Sequence, residues 1–303
     1  MSVINVERLT KDYGFGRGVF DVSIHVEKGE VFGFLGPNGA GKSTTIRHLM
    51  GFSQPDDGKV EIFGKPTFGK YYEILKNVGY IPGEVALPAG LTGKEFLKMM
   101  QDLTGIHNNE RLGMLLELFE LDEASLLGDV KRKLAVVSAF MSDPEVLILD
   151  EPTSGLDPVM QERFIEFIHK EKERGKTILL SSHIFSEIDN TCDRIAIIKD
   201  GKIVSEFVAN DLKHASKKYY TVDFKAEADK KKFLESSVGI GSLTMINDKE
   251  NEIFISIEDE DLNKTINLLS AVDVTKFSNR KESLEDYFMK FYKEDKDFGG
   301  AIK

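Results

Sequence analysis

The residues best suited to chemistry are nine consecutive ones: Gly36, Pro37, Asn38, Gly39, Ala40, Gly41, Lys42, Ser43 and Thr44. From Gly36 to Ser43 they satisfy the spacing G-x-x-x-x-G-K-S. A loop of this composition turns its backbone N–H groups inward around an anion, and side chains at the glycine positions would block that approach. Lys42 is placed to reach the β- and γ-phosphates of a nucleotide, and the Ser43 hydroxyl to bind the Mg²⁺ that bridges them. A plain strand-to-helix connection also uses glycine, but it has no need of lysine and serine at this offset.

Two acids follow a different kind of segment. Val146, Leu147, Ile148 and Leu149 are apolar without alternation, the mark of a strand buried on both faces, as in a parallel sheet. Asp150 and Glu151 at its end are costly unless they have a task. Asp150 is placed to hold Mg²⁺ through water, and Glu151 to accept a proton from, or polarise, an attacking water. The alternative is that both simply face solvent. His183 closes another apolar run, Thr177 to Leu180, at the strand end where ligands bind in open α/β sheets. A neutral imidazole there can hydrogen-bond a γ-phosphate, although a lone histidine in such a place reads as structural. Tyr13, just ahead of the turn Gly14 to Gly18, either packs at a strand end or stacks on an adenine.

The elements that must position these groups follow from periodicity. Val31 to Leu35 feeds the glycine loop. Thr45 to Met50 leaves it as a helix, its free N–H groups and positive dipole end turned to the same anion. Residues 3–9 and 19–26 alternate as strands, and 58–63 and 77–81 read as further short ones. From Leu91 to Phe119 the period becomes helical, with Thr92 as a cap and Arg111 to Leu121 as a second amphipathic stretch. Lys131 to Met141 is a further helix, stopped at Asp143-Pro144. Ser154, Gly155, Leu156 and Asp157 make a turn, with Asp157 capping a helix that runs to Arg174. Ile184 to Asn190 is helical. Arg194 to Lys199 returns as a strand, and Asp200-Gly201 turns it into Lys202 to Phe207.

The 303 residues exceed one ordinary domain, so one large and one small domain are expected. A composition of 41% hydrophobic and 30% charged residues is that of a soluble globular protein. No apolar run approaches the roughly 20 residues that span a bilayer, and the first residues lack the apolar core of a signal peptide. A cytoplasmic protein is expected. Cys192 is the single cysteine, which excludes an internal disulfide. A net charge of −11, with no basic stretch interleaved with aromatics, weighs against a nucleic-acid partner.

The glycine loop at 36–44, the acids closing 146–151, Ser154 to Asp157 and His183, in that order and spacing, resemble the nucleotide-binding subunit of an ABC transporter. The resemblance covers residues 1–210. Its closest flavour is the stand-alone ATPase of drug- and bacteriocin-type (ABC-2) exporters, in wording such as Phe34 to Gly39 and Leu149 to Pro158. It implies an α/β P-loop ATPase core with N-terminal antiparallel strands and a helical subdomain at about 84–141. The loop at 36–44 then matches Walker A, 146–151 Walker B, and Ser154, Gly155, Leu156 and Asp157 the D-loop. Tyr13 matches the adenine-stacking aromatic, Glu151 the catalytic base and His183 the switch histidine. ATP and Mg²⁺ are the implied cofactors. The implied partners are a second ATPase subunit, identical or not, bound head to tail, and a separate membrane permease. The permease would hold this subunit on the inner face of the membrane, docking a helix between residues 82–90 and the helical insert.

Two departures stand out. The family carries a glutamine after tyrosine–x–proline; here Tyr80-Ile81-Pro82 is followed by Gly83 and then Glu84, the candidate substitute. The signature Leu-Ser-Gly-Gly-Gln falls on Leu126, Leu127, Gly128, Asp129 and Val130. Leu127 replaces the serine that contacts the partner's ATP, and Asp129 places a carboxylate where a glycine N–H should approach phosphate. Leu121-Asp122 also lies close to Lys131, as though a few residues were missing through natural degeneration, deletion or engineering. The expectation is near-normal binding with weakened closure and hydrolysis. The rival reading is a weakly hydrolysing or non-hydrolysing regulator or heterodimer partner. A P-loop GTPase or kinase is disfavoured, because the sequence lacks Asn-Lys-x-Asp and would leave the D-loop and His183 unexplained.

Residues 211–303 read as a small accessory domain. Their order β-α-β-β-α-β-α, with a last helix capped by Ser283, is that of a ferredoxin-like fold. Dimer contact or regulation is the role expected of it.

Overall fold

The computed structural model describes residues 2–293 except 70, 89, 123–126, 214–216, 249 and 281–283. The chain divides into two compact units, Met1–Ala209 and Asn210–Lys303.

The first unit opens with β1 (Ser2–Asp12) and β2 (Gly18–Glu27), an antiparallel pair whose inward residues Ile4, Val6, Val22 and Ile24 are fully buried. Then come β3 (Val31–Leu35), α1 (Lys42–Leu49), β4 (Asp57–Ile62), β5 (Lys65–Pro66), the single turn α2 (Tyr71–Ile74) and β6 (Val78–Ile81). Three helices follow: α3 (Gly93–Thr104), α4 (Asn109–Leu118) and α5 (Leu127–Phe140). The unit continues through β7 (Val146–Asp150), α6 (Pro158–Glu173), β8 (Thr177–Ser182), α7 (Phe185–Thr191), β9 (Arg194–Lys199) and β10 (Lys202–Val208).

Two sheets result. One is antiparallel, in the order β2-β1-β4-β5. The other has the order β10-β9-β3-β8-β7-β6, with every neighbouring pair parallel except β9–β10. Every residue of β3, β7 and β8 is buried, which is why their apolar residues follow one another without alternation. Apolar side chains of both sheets and of α1 form one core.

The helical insert starts where expected. Thr92 accepts from the Glu95 N–H while the Glu95 carboxylate accepts from the Thr92 N–H, a reciprocal cap on α3. α5 departs from expectation by beginning at Leu127 rather than Lys131, with Val130 outside helical geometry (φ −124°, ψ 15°). It also closes at Phe140, ahead of Pro144, because Asp143 turns left-handed at φ 54°. α4, α5 and α6 are joined by aromatic edges, Phe119 on Phe167 and Phe140 on Phe164 and Phe167. The buried Arg111 guanidinium donates to Glu171 at 2.6 Å and to the Phe140 carbonyl at 3.1 Å.

A short helix α8 (Ala209–Lys213) spans the boundary. The second unit contains β11 (Lys217–Phe224), α9 (Glu227–Ser237), β12 (Thr244–Asp248), β13 (Glu252–Glu258), α10 (Leu262–Leu269), β14 (Val274–Arg280) and α11 (Leu284–Lys293). Its antiparallel sheet runs β12-β13-β11-β14, so the unit's first strand lies between its third and fourth, the ferredoxin-like order. Val222, Phe224, Phe233, Ile253, Ile255 and Ile257 build its core. Ser283, the expected cap of the last helix, lies outside the described residues.

Candidate nucleotide-binding and catalytic site

Register decides what meets at the carboxyl edge of the parallel sheet. Leu35 of β3 pairs with Ser182 of β8, Asp150 of β7 with Ser181, and Ile81 of β6 with Leu149. The glycine loop, both acids, His183 and the Pro82-Gly83 segment therefore leave neighbouring strands side by side.

The loop's glycines are required by its geometry. Gly41 has φ 115°, and a Cβ there would lie 2.8 Å from Val19 Cγ1; at Gly36 it would lie 2.5 Å from the Ile198 carbonyl oxygen. Gly39, Asn38 and Ser43 are exposed, Pro37 and Thr44 half-buried, and Ala40 buried. α1 begins directly after Gly41 with no side-chain cap, which leaves first-turn N–H groups for a ligand. Lys42 is buried, and its ammonium donates to the Gly36 carbonyl at 2.6 Å and the Pro37 carbonyl at 3.2 Å. Burial holds its pKa below the usual lysine range, while the Glu151 and Asp150 carboxylates pull the other way.

Glu151 ties the acids to the loop. One carboxylate oxygen is 3.4 Å from Lys42 Nζ and the other 3.2 Å from His183 Nδ1. Its backbone is left-handed at φ 49°, held by an N–H bond to the Ser181 carbonyl at 3.0 Å. Such a conformation costs a non-glycine residue about 1 kcal/mol and persists where the surroundings enforce it. Asp150 is buried and accepts a hydrogen bond from the Ser181 hydroxyl. The chain then turns through Thr153 and Gly155 (φ 82°) to Asp157, whose carboxylate caps α6 by accepting the Met160 N–H at 3.0 Å. Ser154 donates its N–H to the Glu151 carbonyl at 3.1 Å, and Leu156 its N–H to the Thr153 carbonyl at 3.0 Å.

Comparison with known proteins agrees with this geometry. Residues 19–154 match the family model described as ABC transporter. The bacitracin transport ATP-binding protein BcrA of Bacillus licheniformis is 35% identical, over 95% of this chain and 97% of its own length. This chain belongs to the ABC transporter family. The Nod factor export ATP-binding protein I of Paraburkholderia xenovorans is 36% identical over 68% of this chain and 70% of its own length. A solved structure of the ATP-binding subunit of an ABC transporter superposes with TM-score 0.65 at 30% identity, covering 70% of this chain and 92% of that one. The protein is an ATPase, the ATP-binding subunit of a transporter.

In this ABC subunit Tyr13 lies just past β1 and is 47% exposed. Ser43 and Asp150 are of the type that suits a hard cation, an exposed residue bearing a hydroxyl and a buried one bearing a carboxylate. Among the described residues no group of three or more His, Cys, Asp or Glu side chains is placed to hold a metal ion. Mg²⁺ needs none, because it binds through one or two protein oxygens together with phosphates and water. Gly83 packs against Asp150, where a Cβ would be 3.1 Å from Oδ2. Glu84 is exposed. Leu126 lies outside the described residues; Leu127, Gly128 and Asp129 form the start of α5, before its break at Val130.

Sequence reasoning missed Glu187. It is buried, accepts the Ser182 hydroxyl at 2.5 Å, and leaves Oε1 without a partner. Burial, helped by the Glu151 charge, pushes its carboxyl up to about 7, against hydrogen bonds from Ser182 and Thr153. The available signal was an acid one helical turn after His183.

Proposed function

We propose that this ATPase is the motor of an exporter whose membrane permease is a separate chain. The observation that carries the reading is Glu151, set between Lys42 and His183 at the sheet's carboxyl edge. Lys42 exchanges its two carbonyl partners for β- and γ-phosphate oxygens, which are stronger acceptors. Tyr13 stacks on the adenine. The Glu151 carboxylate orients the attacking water and takes its proton, while His183 donates to a γ-phosphate oxygen. Mg²⁺ held by Ser43 and Asp150 would neutralise charge on the phosphates.

A second copy bound head to tail completes each site with residues 126–130 and its D-loop, Ser154 to Asp157. Closure passes to the permease through residues 82–90 and the helical insert. The permease holds this subunit on the inner face of the membrane; the described residues contain no helix long and apolar enough to cross a membrane. Relatives named for bacitracin transport and Nod factor export support outward transport. The bacitracin transport relative, aligned over 95% of this chain, supports bacitracin or a compound like it as cargo. The rival reading of a non-hydrolysing regulator is not favoured, since Lys42, Glu151 and His183 are brought together intact.

The test is Mg-ATP titration and steady-state hydrolysis by the purified chain, with and without a co-purified membrane protein. Saturable binding, lost in Lys42→Ala, is expected. No saturable binding, or equal binding by Lys42→Ala, would overturn the proposal.

A further inference from the structure

We propose that Arg132 is a positioning residue for ATP hydrolysis, taking over the link between the helical insert and the catalytic acids that a side chain at position 83 cannot make. This rests on the ATPase reading above. Its Nη1 donates to the Pro82 carbonyl at 2.9 Å and its Nη2 to the Gly83 carbonyl at 2.6 Å. Gly83 in turn packs on the Asp150 carboxylate. The contacts thus run without a gap from α5, through the guanidinium and the Pro82-Gly83 backbone, to a buried acid of the site.

The residue type matters. Two successive carbonyls are gripped by one planar fork, a geometry that guanidinium supplies and the single ammonium of Lys131 or Lys133 does not. The guanidinium is half-buried, and its pKa is held down by that burial and raised by Asp150 and Glu151, so it lies in the field of both acids. It also lies two residues past Val130, where α5 resumes regular geometry. Any movement of that helix relative to the sheet must pull on Pro82-Gly83 and shift Asp150. The glycine at 83 removes a side chain from the site; Arg132 keeps the two subregions in register without one.

The experiment compares Arg132→Ala and Arg132→Lys with the parent for Mg-ATP affinity, kcat, KM, the Mg²⁺ concentration for half-maximal rate, and amide hydrogen exchange over residues 78–86. Outer partners of a catalytic group typically cost about 10–100-fold when removed. Both variants are expected to lose kcat in that range with ATP affinity within about 2-fold, to need more Mg²⁺, and to exchange faster over 78–86 alone. Turnover of Arg132→Ala within about 2-fold of the parent would overturn the proposal. So would affinity, melting temperature and rate falling together in Arg132→Ala and all returning in Arg132→Lys. If the parent itself does not hydrolyse ATP, the ATPase reading fails separately, and exchange over 78–86 still decides whether Arg132 holds that segment.

Discussion

Residues 36–44 and 82–84 lie at the same edge of the same sheet, and each segment has a glycine pressed against a neighbour, yet they are held by opposite means. In the glycine loop the constraint is local. Gly39 and Gly41 take φ 83° and 115°, and Lys42 folds back onto carbonyls five and six residues earlier. At Pro82-Gly83 the constraint comes from an arginine 50 and 49 residues further along the chain. A local device stays readable because each residue is needed at a fixed spacing. A distant one can be supplied by another element, so the segment it holds need not carry a readable pattern of its own.

The comparison can be broken most severely at Glu151, to which the proposed mechanism gives chemistry rather than grip. Glu151→Gln is expected to lower kcat by about 10²–10⁴-fold with ATP affinity retained, as single-turnover and binding assays would read. Next come the glycines. Gly41→Ala adds left-handed strain to a clash 2.8 Å from Val19 Cγ1, and should destabilise the fold by about 2–4 kcal/mol in denaturant melts and weaken ATP binding.

The third test concerns pH. Below the ordinary value of 4.5, Glu187 is neutral in both folded and unfolded chains, so its contribution to stability is complete there. Above that value the unfolded chain ionises freely while the buried carboxyl stays protonated until about 7, and stability falls across the window by about 3 kcal/mol. Glu187→Gln should flatten that slope and be more stable than the parent at pH 8. Gly83→Ala should have the smallest effect. Without left-handed strain, its Cβ 3.1 Å from Asp150 Oδ2 should cost about 1 kcal/mol and show mainly as a raised Mg²⁺ requirement.

Legibility followed the same division. β3, β7 and β8 were readable as runs without alternation, and the caps Thr92 and Asp157 stand where their residue types and offsets placed them. The sequence starts α5 four residues late, because Lys131 to Met141 carries a helical pattern while the turn before Val130 carries none. Arg132 looked like one cation in the run Lys131-Arg132-Lys133, and Glu187 like one more acid on a short helix. Their tasks come from partners far away in sequence or from burial, neither of which a local window contains.

Amino-acid order by itself determined the glycine loop, the buried strands and the helix starts, since each depends on backbone conformations and hydrogen bonds spanning a few residues. Only the tertiary structure decided that Lys42 meets Glu151, that Glu151 meets His183, and that Arg132 holds Gly83. Those meetings depend on strand order, and strand order comes from crossovers that set Val31 beside Ile178 and Val78 beside Val146. Long connections of that kind are chosen by the packing of whole layers, which no short stretch of residues encodes.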